Sequence, residues 1–274
     1  MVLCALFLVG FLVCAGLWIR GELRKEEEKD TYEELKEQVA VLPPAETKAP
    51  VETKAPETSQ PEEQPEERVI EIPDLELDWT ALKERNEDIY SWIYIPNTEI
   101  SYPVLQHSEE TDFYLDHDLD GKEAFAGAIY TQNLNATDYS DKNTVVYGHS
   151  MKNGTMFHDL HKYEKADFFE SNRYIYIYQP DRTLVYEVYG ACEFGNALLP
   201  YKYDFETEEG TEEFLEDLRN SEGADNHIME GLEFPEDEKL LTLSTCIANH
   251  FEKRLLIVGV LVYEKEYTEG NEIS

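Results

Sequence analysis

Basic residues are scarce in this chain of 274: 23 Lys and Arg stand against 59 Asp and Glu, a formal charge of −36. Without a basic footprint nothing neutralises phosphates, which argues against DNA, RNA or an anionic lipid surface as a broad partner. Cysteine is scarce as well. Four are too few for a disulfide framework, and Cys4 and Cys14 lie in the first apolar run, leaving Cys192 and Cys246 for the body. There is no alternation of strands with long helices, so a parallel α/β architecture is disfavoured. Internal repetition is confined to AETKAP followed by VETKAP, too short for a solenoid. Aromatic residues are not lacking: they make up 12% of the chain, including 18 Tyr, so the chain as a whole is not disordered.

Long apolar runs are limited to one. Val2 to Ile19 carries no charge and at about 1.5 Å per residue would reach roughly 27 Å, the thickness of a bilayer core. No basic residue precedes it, so the expectation is an uncleaved signal anchor over residues 1–20 rather than a cleaved leader. Arg20, Arg24, Lys25 and Lys29 follow; by charge they would favour the cytoplasmic side, but Glu22 and Glu26 to Glu28 sit among them. Residues 21–42 read as a charged juxtamembrane helix with Leu35, Val39 and Leu42 at helical spacing. From Pro43 to Glu67 there is no aromatic residue, so this Pro- and Glu-rich stretch cannot build a core and is expected to be an extended stalk. Residues 1–68 are thus expected to supply no core.

Residues 69–274 have the composition of one globular domain, with 15 basic and 44 acidic residues, hence −29. A short helix is expected to begin at Asp78-Trp79-Thr80 and end near Tyr90, with Leu82 and Ile89 inward. Strand-like runs follow at WIYI, ISYPVL, GAIYTQ, NTVVYGH, RYIYIYQ, TLVYEVYGACEF, KLLTLSTC and RLLIVGVLVYEK. They are rich in Val, Ile, Tyr and Thr, several with period-two alternation. Short helices are expected at MFHDLHKY and EKADFFES, and a longer one over Thr207–Asn220. Eight strands with few helices predict a mainly β fold, an antiparallel barrel or sandwich.

Three residues could carry chemistry. KLLTLSTC ends on Cys246, and Arg254 opens the next run after seven intervening residues. Paired as a hairpin, the two strands would set thiol and guanidinium opposite one another. A guanidinium there favours the thiolate and can hold a developing oxyanion. His149, at the end of NTVVYGH, supplies an acid or base at a third strand end. Against this stand blander readings: a Cys192–Cys246 disulfide, a core-filling Cys246, a surface ion pair for Arg254, a core His149. His158 and His161 lack a third ligand, so no metal is expected, and no cofactor is called for. His107, His117, His227 and His250 read as solvated surface. The domain's negative charge would disfavour a Cys246 thiolate and favour a His149 imidazolium, with Arg254 opposing the first effect locally.

TLSTC at Thr242–Cys246, Arg254 eight positions on, and YGH at Tyr147–His149 together resemble the sortases, membrane-anchored cysteine transpeptidases of Gram-positive bacteria. YGHSMKNGTMFHDLHKY, DWTALKERNEDIYSWIYIPNTEISYPV and DFYLDHDLDG look like class B members, and the likeness covers roughly Leu75 to Lys265. It implies a closed eight-stranded β-barrel with an N-terminal helix and a helix inserted before the catalytic strand. It implies Cys246 as nucleophile, His149 as acid/base and Arg254 as oxyanion or substrate-positioning cation, with Ser244, Thr245 and Leu115 lining a peptide groove. The expected partners are surface proteins bearing a sorting signal cleaved after Thr, and a cell-wall or pilin amine as acceptor. The expected location is the cell membrane, single-pass, with the catalytic domain on the extracellular face. Pilin polymerisation, hydrolysis, or a non-catalytic acidic surface-binding module are the alternatives. Ile247-Ala248-Asn249-His250 departs from the more polar or aromatic residues usual there, which bears on substrate preference.

Overall fold

The computed structural model describes residues 70–231 and 239–267 and, upstream, residues 11, 15, 16, 32, 34, 35, 41 and 42. Val41–Leu42 (β1) pairs antiparallel with Asp74–Leu75 (β2) as a separate two-stranded ribbon. The main sheet contains Ile89–Tyr94 (β3), Ser101–Leu105 (β4), Ile129–Thr131 (β5), Asn143–Tyr147 (β6), Tyr174–Tyr178 (β7), Arg182–Gly195 (β8), His227–Ile228 (β9), Leu240–Ile247 (β10) and His250–Glu266 (β11). Its order is β11-β10-β6-β5-β4-β3-β7-β8-β9, and β11 pairs again with β8. That second pairing closes eight strands into a barrel, with β9 as an appendage on β8. The eight runs rich in β-branched and aromatic residues are these eight strands. Two pairings, β4–β5 and β6–β10, are parallel; the rest of the ladder is antiparallel.

Alternation explains the core. Trp92, Tyr186, Val185, Ile177 and Phe157 are among the side chains with almost no exposure. Removing such a side chain from water contributes about 1.5–3 kcal/mol. β8 is buried along most of its length, and β11 over residues 255–260, because both faces are covered there. The barrel interior takes one face, and a second cluster takes the other, built from Phe214, Leu215 and Leu218 with Cys192, Tyr203 and Leu256. Phe214, Leu215 and Leu218 belong to the helix Glu208–Arg219, whose N-cap Thr207 accepts from the Gly210 amide; a cap of this kind is worth about 1 kcal/mol. This helix covers the outside of the β8–β11 seam.

Three local expectations are revised. The helix after Asp78 runs only over Trp79–Arg85, since Ile89 and Tyr90 belong to β3, whose paired backbone competes successfully with the helix. Leu42 lies in β1, not in a helix. Tyr32 and Leu35 are buried at 6% and 4% exposure, so residues upstream of the body do contribute to the core. The Tyr32 hydroxyl donates to the Gly127 carbonyl at 3.1 Å, and its ring meets Tyr102 edge to face at 5.6 Å. The expected stalk lies outside the described residues.

The expected membrane location is corrected. Among the described residues no helix is long and apolar enough to cross a membrane, and of the expected 1–20 anchor only Phe11, Ala15 and Gly16 are described.

Tyr32→Ala removes a buried ring and its hydrogen bond. It should cost about 2–4 kcal/mol, or roughly 5–10 °C in Tm, read by a circular-dichroism melt. An unchanged Tm would mean that this upstream segment does not seat on the barrel in solution.

Candidate active site

Cys246, His149 and Arg254 meet at one end of the barrel because of how three adjacent strands are registered. In the parallel β6–β10 pair Ser244 lies beside Tyr147. Two residues further along each strand direction come Cys246 and His149, so they emerge side by side. In the antiparallel β10–β11 pair Arg254 stands opposite Cys246. The nucleophile candidate is thus on the middle strand, flanked on either side. The seven-residue connection is closed by one further pair: β10 and β11 re-pair at Ile247 and His250 after a register shift. Phe251 to Lys253 are the extra residues on the β11 side, and Asn249 turns the chain with φ 64°, a conformation Asn tolerates better than most residues.

Backbone and side-chain bonds fasten the His149 arm to the Cys246 strand. The Gly148 amide donates to the Ser244 carbonyl at 3.2 Å, and the Thr245 hydroxyl donates to the Gly148 carbonyl at 2.7 Å. A Cβ at position 148 would lie 2.5 Å from Ile129 Cδ1 and 2.7 Å from Phe157 Cδ2, so only glycine allows this approach without displacing core side chains. The His149 Nε2 hydrogen bonds to the Leu115 carbonyl at 2.9 Å. A carbonyl only accepts, so Nε2 carries a proton and Nδ1 is the nitrogen left to exchange one with sulfur. The Leu115 carbonyl is itself placed by Gly127, whose φ is +59° and where a Cβ would lie 2.6 Å from both the Leu115 and Tyr114 oxygens. Phe125 stacks on the His149 ring with centroids 5.9 Å apart.

The two groups shift toward one another. The Cys246 thiol is held below the ordinary thiol range, first by its hydrogen bond from His149, against the cost of partial burial, with the Arg254 charge adding to the lowering. The His149 imidazole is pushed up, first by the same hydrogen bond and further by the Leu115 carbonyl, while burial and Arg254 oppose this. Local cations outweigh the domain's negative charge at the sulfur, since contact distances beat a diffuse field. Arg254 Nη1 donates to the carbonyls of Lys253 at 3.0 Å and Phe251 at 3.3 Å, which tethers the guanidinium; its other N–H groups remain as donors.

A cleft opens over the thiol. Leu115, Ser244 and Thr245 line it with Cys246, His149 and Arg254, as do Asp112, Tyr130 and Tyr147 on one wall and Asn196 to Leu199 on the other. Thr245 is almost fully buried, with its hydroxyl committed to Gly148. Leu115 acts on His149 through its main chain. Sequence patterning had singled out neither Asp112 nor the 196–199 wall; DFYLDHDLDG was a signal for the first. Cys192 and Cys246 are both free. Cys192 is buried, and burial pushes its thiol up to about 11, which makes it a poor nucleophile. Of the histidines read as surface, His227 packs on Phe169 at 5.3 Å between ring centroids. Among the described residues no group of three or more His, Cys, Asp or Glu is arranged to hold a metal ion.

Comparison with known proteins identifies the family. A Sortase domain family model matches residues 93–262. Sortase B of Listeria monocytogenes is 33% identical over 189 residues, covering 66% of this chain and 72% of that protein. Sortase B of Staphylococcus aureus is 27% identical over 187 residues, 66% of this chain and 73% of that one. Among solved structures, Clostridium perfringens sortase B superposes with a TM-score of 0.60 at 27% identity, covering 67% of this chain and 99% of that one. A Staphylococcus aureus sortase B–substrate complex gives 0.58 at 27% identity, covering 67% and 83%.

Alkylation of Cys246 by iodoacetamide, followed by mass spectrometry of its peptide, should reach half its limiting rate below about pH 8.5, the ordinary thiol value. As pH falls through the lowered Cys246 pKa the thiolate is lost; as it rises through the raised His149 pKa the imidazolium partner is lost. His149→Ala should therefore move the midpoint up and slow alkylation at neutral pH about tenfold. An unchanged midpoint would separate the imidazole from the sulfur.

Proposed function

This chain belongs to the sortase family, as a class B-like cysteine transpeptidase, and we propose that Cys246, His149 and Arg254 are its catalytic residues. The observation that carries the assignment is the register: Cys246 has His149 two residues past its parallel strand pairing and Arg254 directly opposite in its antiparallel pairing.

The reaction we read from it has two acyl transfers. The Cys246 thiolate attacks the carbonyl carbon of a Thr in a sorting signal, forming a C–S bond. Negative charge moves onto the carbonyl oxygen, where the Arg254 guanidinium stabilises the transition state more than the ground state. On collapse the C–N bond breaks, and the leaving nitrogen takes a proton from the His149 imidazolium. The acceptor amine then attacks the thioester, gives its proton to His149 and expels the thiolate. The acceptor is an amine of a cell-wall precursor, with a pilin lysine or water as the alternatives. The catalytic unit is residues 69–274, and Tyr32 and Leu35 from upstream pack into its core.

A peptide-library cleavage assay with and without added amine tests this. Cys246→Ala should abolish acyl transfer and Cys192→Ala should spare it. Arg254→Lys keeps the charge but loses the planar fork, and should slow single-turnover acylation by about 10²-fold. Turnover that survives Cys246→Ala would overturn the reading, and near-parent rates in both Arg254→Lys and Arg254→Ala would remove Arg254 from the mechanism. Release that ignores added amine would favour the hydrolytic alternative.

A further inference from the structure

Against the main chain of Cys246 lies a second histidine that the mechanism above does not use. His161 sits in the 3-10 segment Phe157–Glu164. Its Nε2 lies 3.1 Å from the main-chain oxygen of Cys246, and its Nδ1 lies 3.0 Å from Glu164 Oε1. A carbonyl oxygen accepts and never donates, so Nε2 must carry a proton. On the other side one proton is shared with a carboxylate; the ordinary imidazole is the stronger base of the two, so the proton rests on Nδ1. Both ring nitrogens are then protonated, and the ring is a cation by the chemistry of its neighbours. Glu164 is fixed in turn: its main-chain oxygen lies 3.1 Å from His227 Nε2, and His227 is carried by β9.

We propose that His161, held as an imidazolium between the Glu164 carboxylate and the Cys246 carbonyl, is a positioning residue for the nucleophile. It pins the end of β10 where the ladder breaks after Cys246, and it adds a third cation near the thiol to His149 and Arg254. The inference rests on Cys246 being the nucleophile. The charge works at both ends: the hydrogen bond to the Glu164 carboxylate pushes the His161 imidazole up against the cost of burial, and the His161 charge adds to the lowering at Cys246. The titratable or charged groups around it are Glu164 and His158 on its own segment, Cys246 on β10, Arg254 on β11, His227 on β9, and His149 on the loop after β6. The His158 ring is 6.2 Å away and its Nδ1 lies 3.3 Å from Ser150 Oγ.

The test is the pH profile of Cys246 alkylation by iodoacetamide in the full chain, read by mass spectrometry of the Cys246 peptide, with a thermal melt alongside. His161→Gln retains a donor for the carbonyl but no charge; it should move the midpoint up and slow alkylation at neutral pH by about three- to tenfold. His161→Arg carries a charge that does not titrate and should stay near the parent profile. Glu164→Gln removes the counter-charge, leaves the ring in place, and should shift the midpoint in the same direction by less; it decides the matter if His161→Gln melts too low to assay. Equal profiles for the Gln and Arg variants, whether both unchanged or both shifted, would overturn the proposal, as would an unshifted Glu164→Gln. Because the readout is thiol reactivity, it is independent of whether a given peptide is turned over, and loss of turnover in Cys246→Ala separately tests the assignment on which the inference rests.

Discussion

The parallel contact between β6 and β10 is the constraint on which the site depends. Parallel strands run in the same direction, so residues equally far past a paired position leave the sheet on the same edge. With Tyr147 beside Ser244, His149 and Cys246 have no other relative arrangement open to them unless the ladder slips. A slip of one residue would send each side chain to the opposite face. The Gly148 amide, the Thr245 hydroxyl and the absent side chain at position 148 hold that register where the strands end. Ring closure by β8 and β11 then fixes the third strand, and with it Arg254, against the first two.

The charge economy of the molecule runs on two length scales. Over the whole surface, acidic residues dominate and keep the protein apart from polyanions. Around Cys246 the order is reversed: Arg254 and two histidines whose imidazoles are pushed up gather at a thiol that is held below its ordinary range. Salt screens the first field within about 8–10 Å but leaves contact pairs largely intact. The Cys246 thiol therefore answers to its immediate neighbours, although the net charge of the domain points the other way.

The fold was largely legible and the site only partly so. Eight strands were visible because Val, Ile, Tyr and Thr recur in short runs bounded by turn residues, and each run is a strand. Their pairing was not visible: nothing in NTVVYGH and KLLTLSTC announces that they run parallel, since parallel partners are joined by long crossovers with no turn signature. The hairpin placing Cys246 opposite Arg254 was readable from spacing, but the bulge of Phe251 to Lys253 was not, because a bulge costs a strand pattern nothing. Tyr32 and Leu35 were hidden among charges. Leu115 and His161 expose a deeper limit. Each acts through a bond to or from a backbone carbonyl, and every residue has one, so no residue type marks it.

The pairing of residues about a hundred positions apart, as between Thr245 and Gly148, bears on when the chain acquires its reactivity. Contacts this distant in sequence form late, after loop-closure entropy has been overcome. Until β6 joins β10, Cys246 is a thiol on a hairpin, with Arg254 opposite it but no imidazole and no cleft. An aggressive sulfur on an unfinished chain would react indiscriminately with whatever it met. Here topology acts as a timer: the proposed nucleophile meets its imidazole only when the long-range pairing that completes the fold is made.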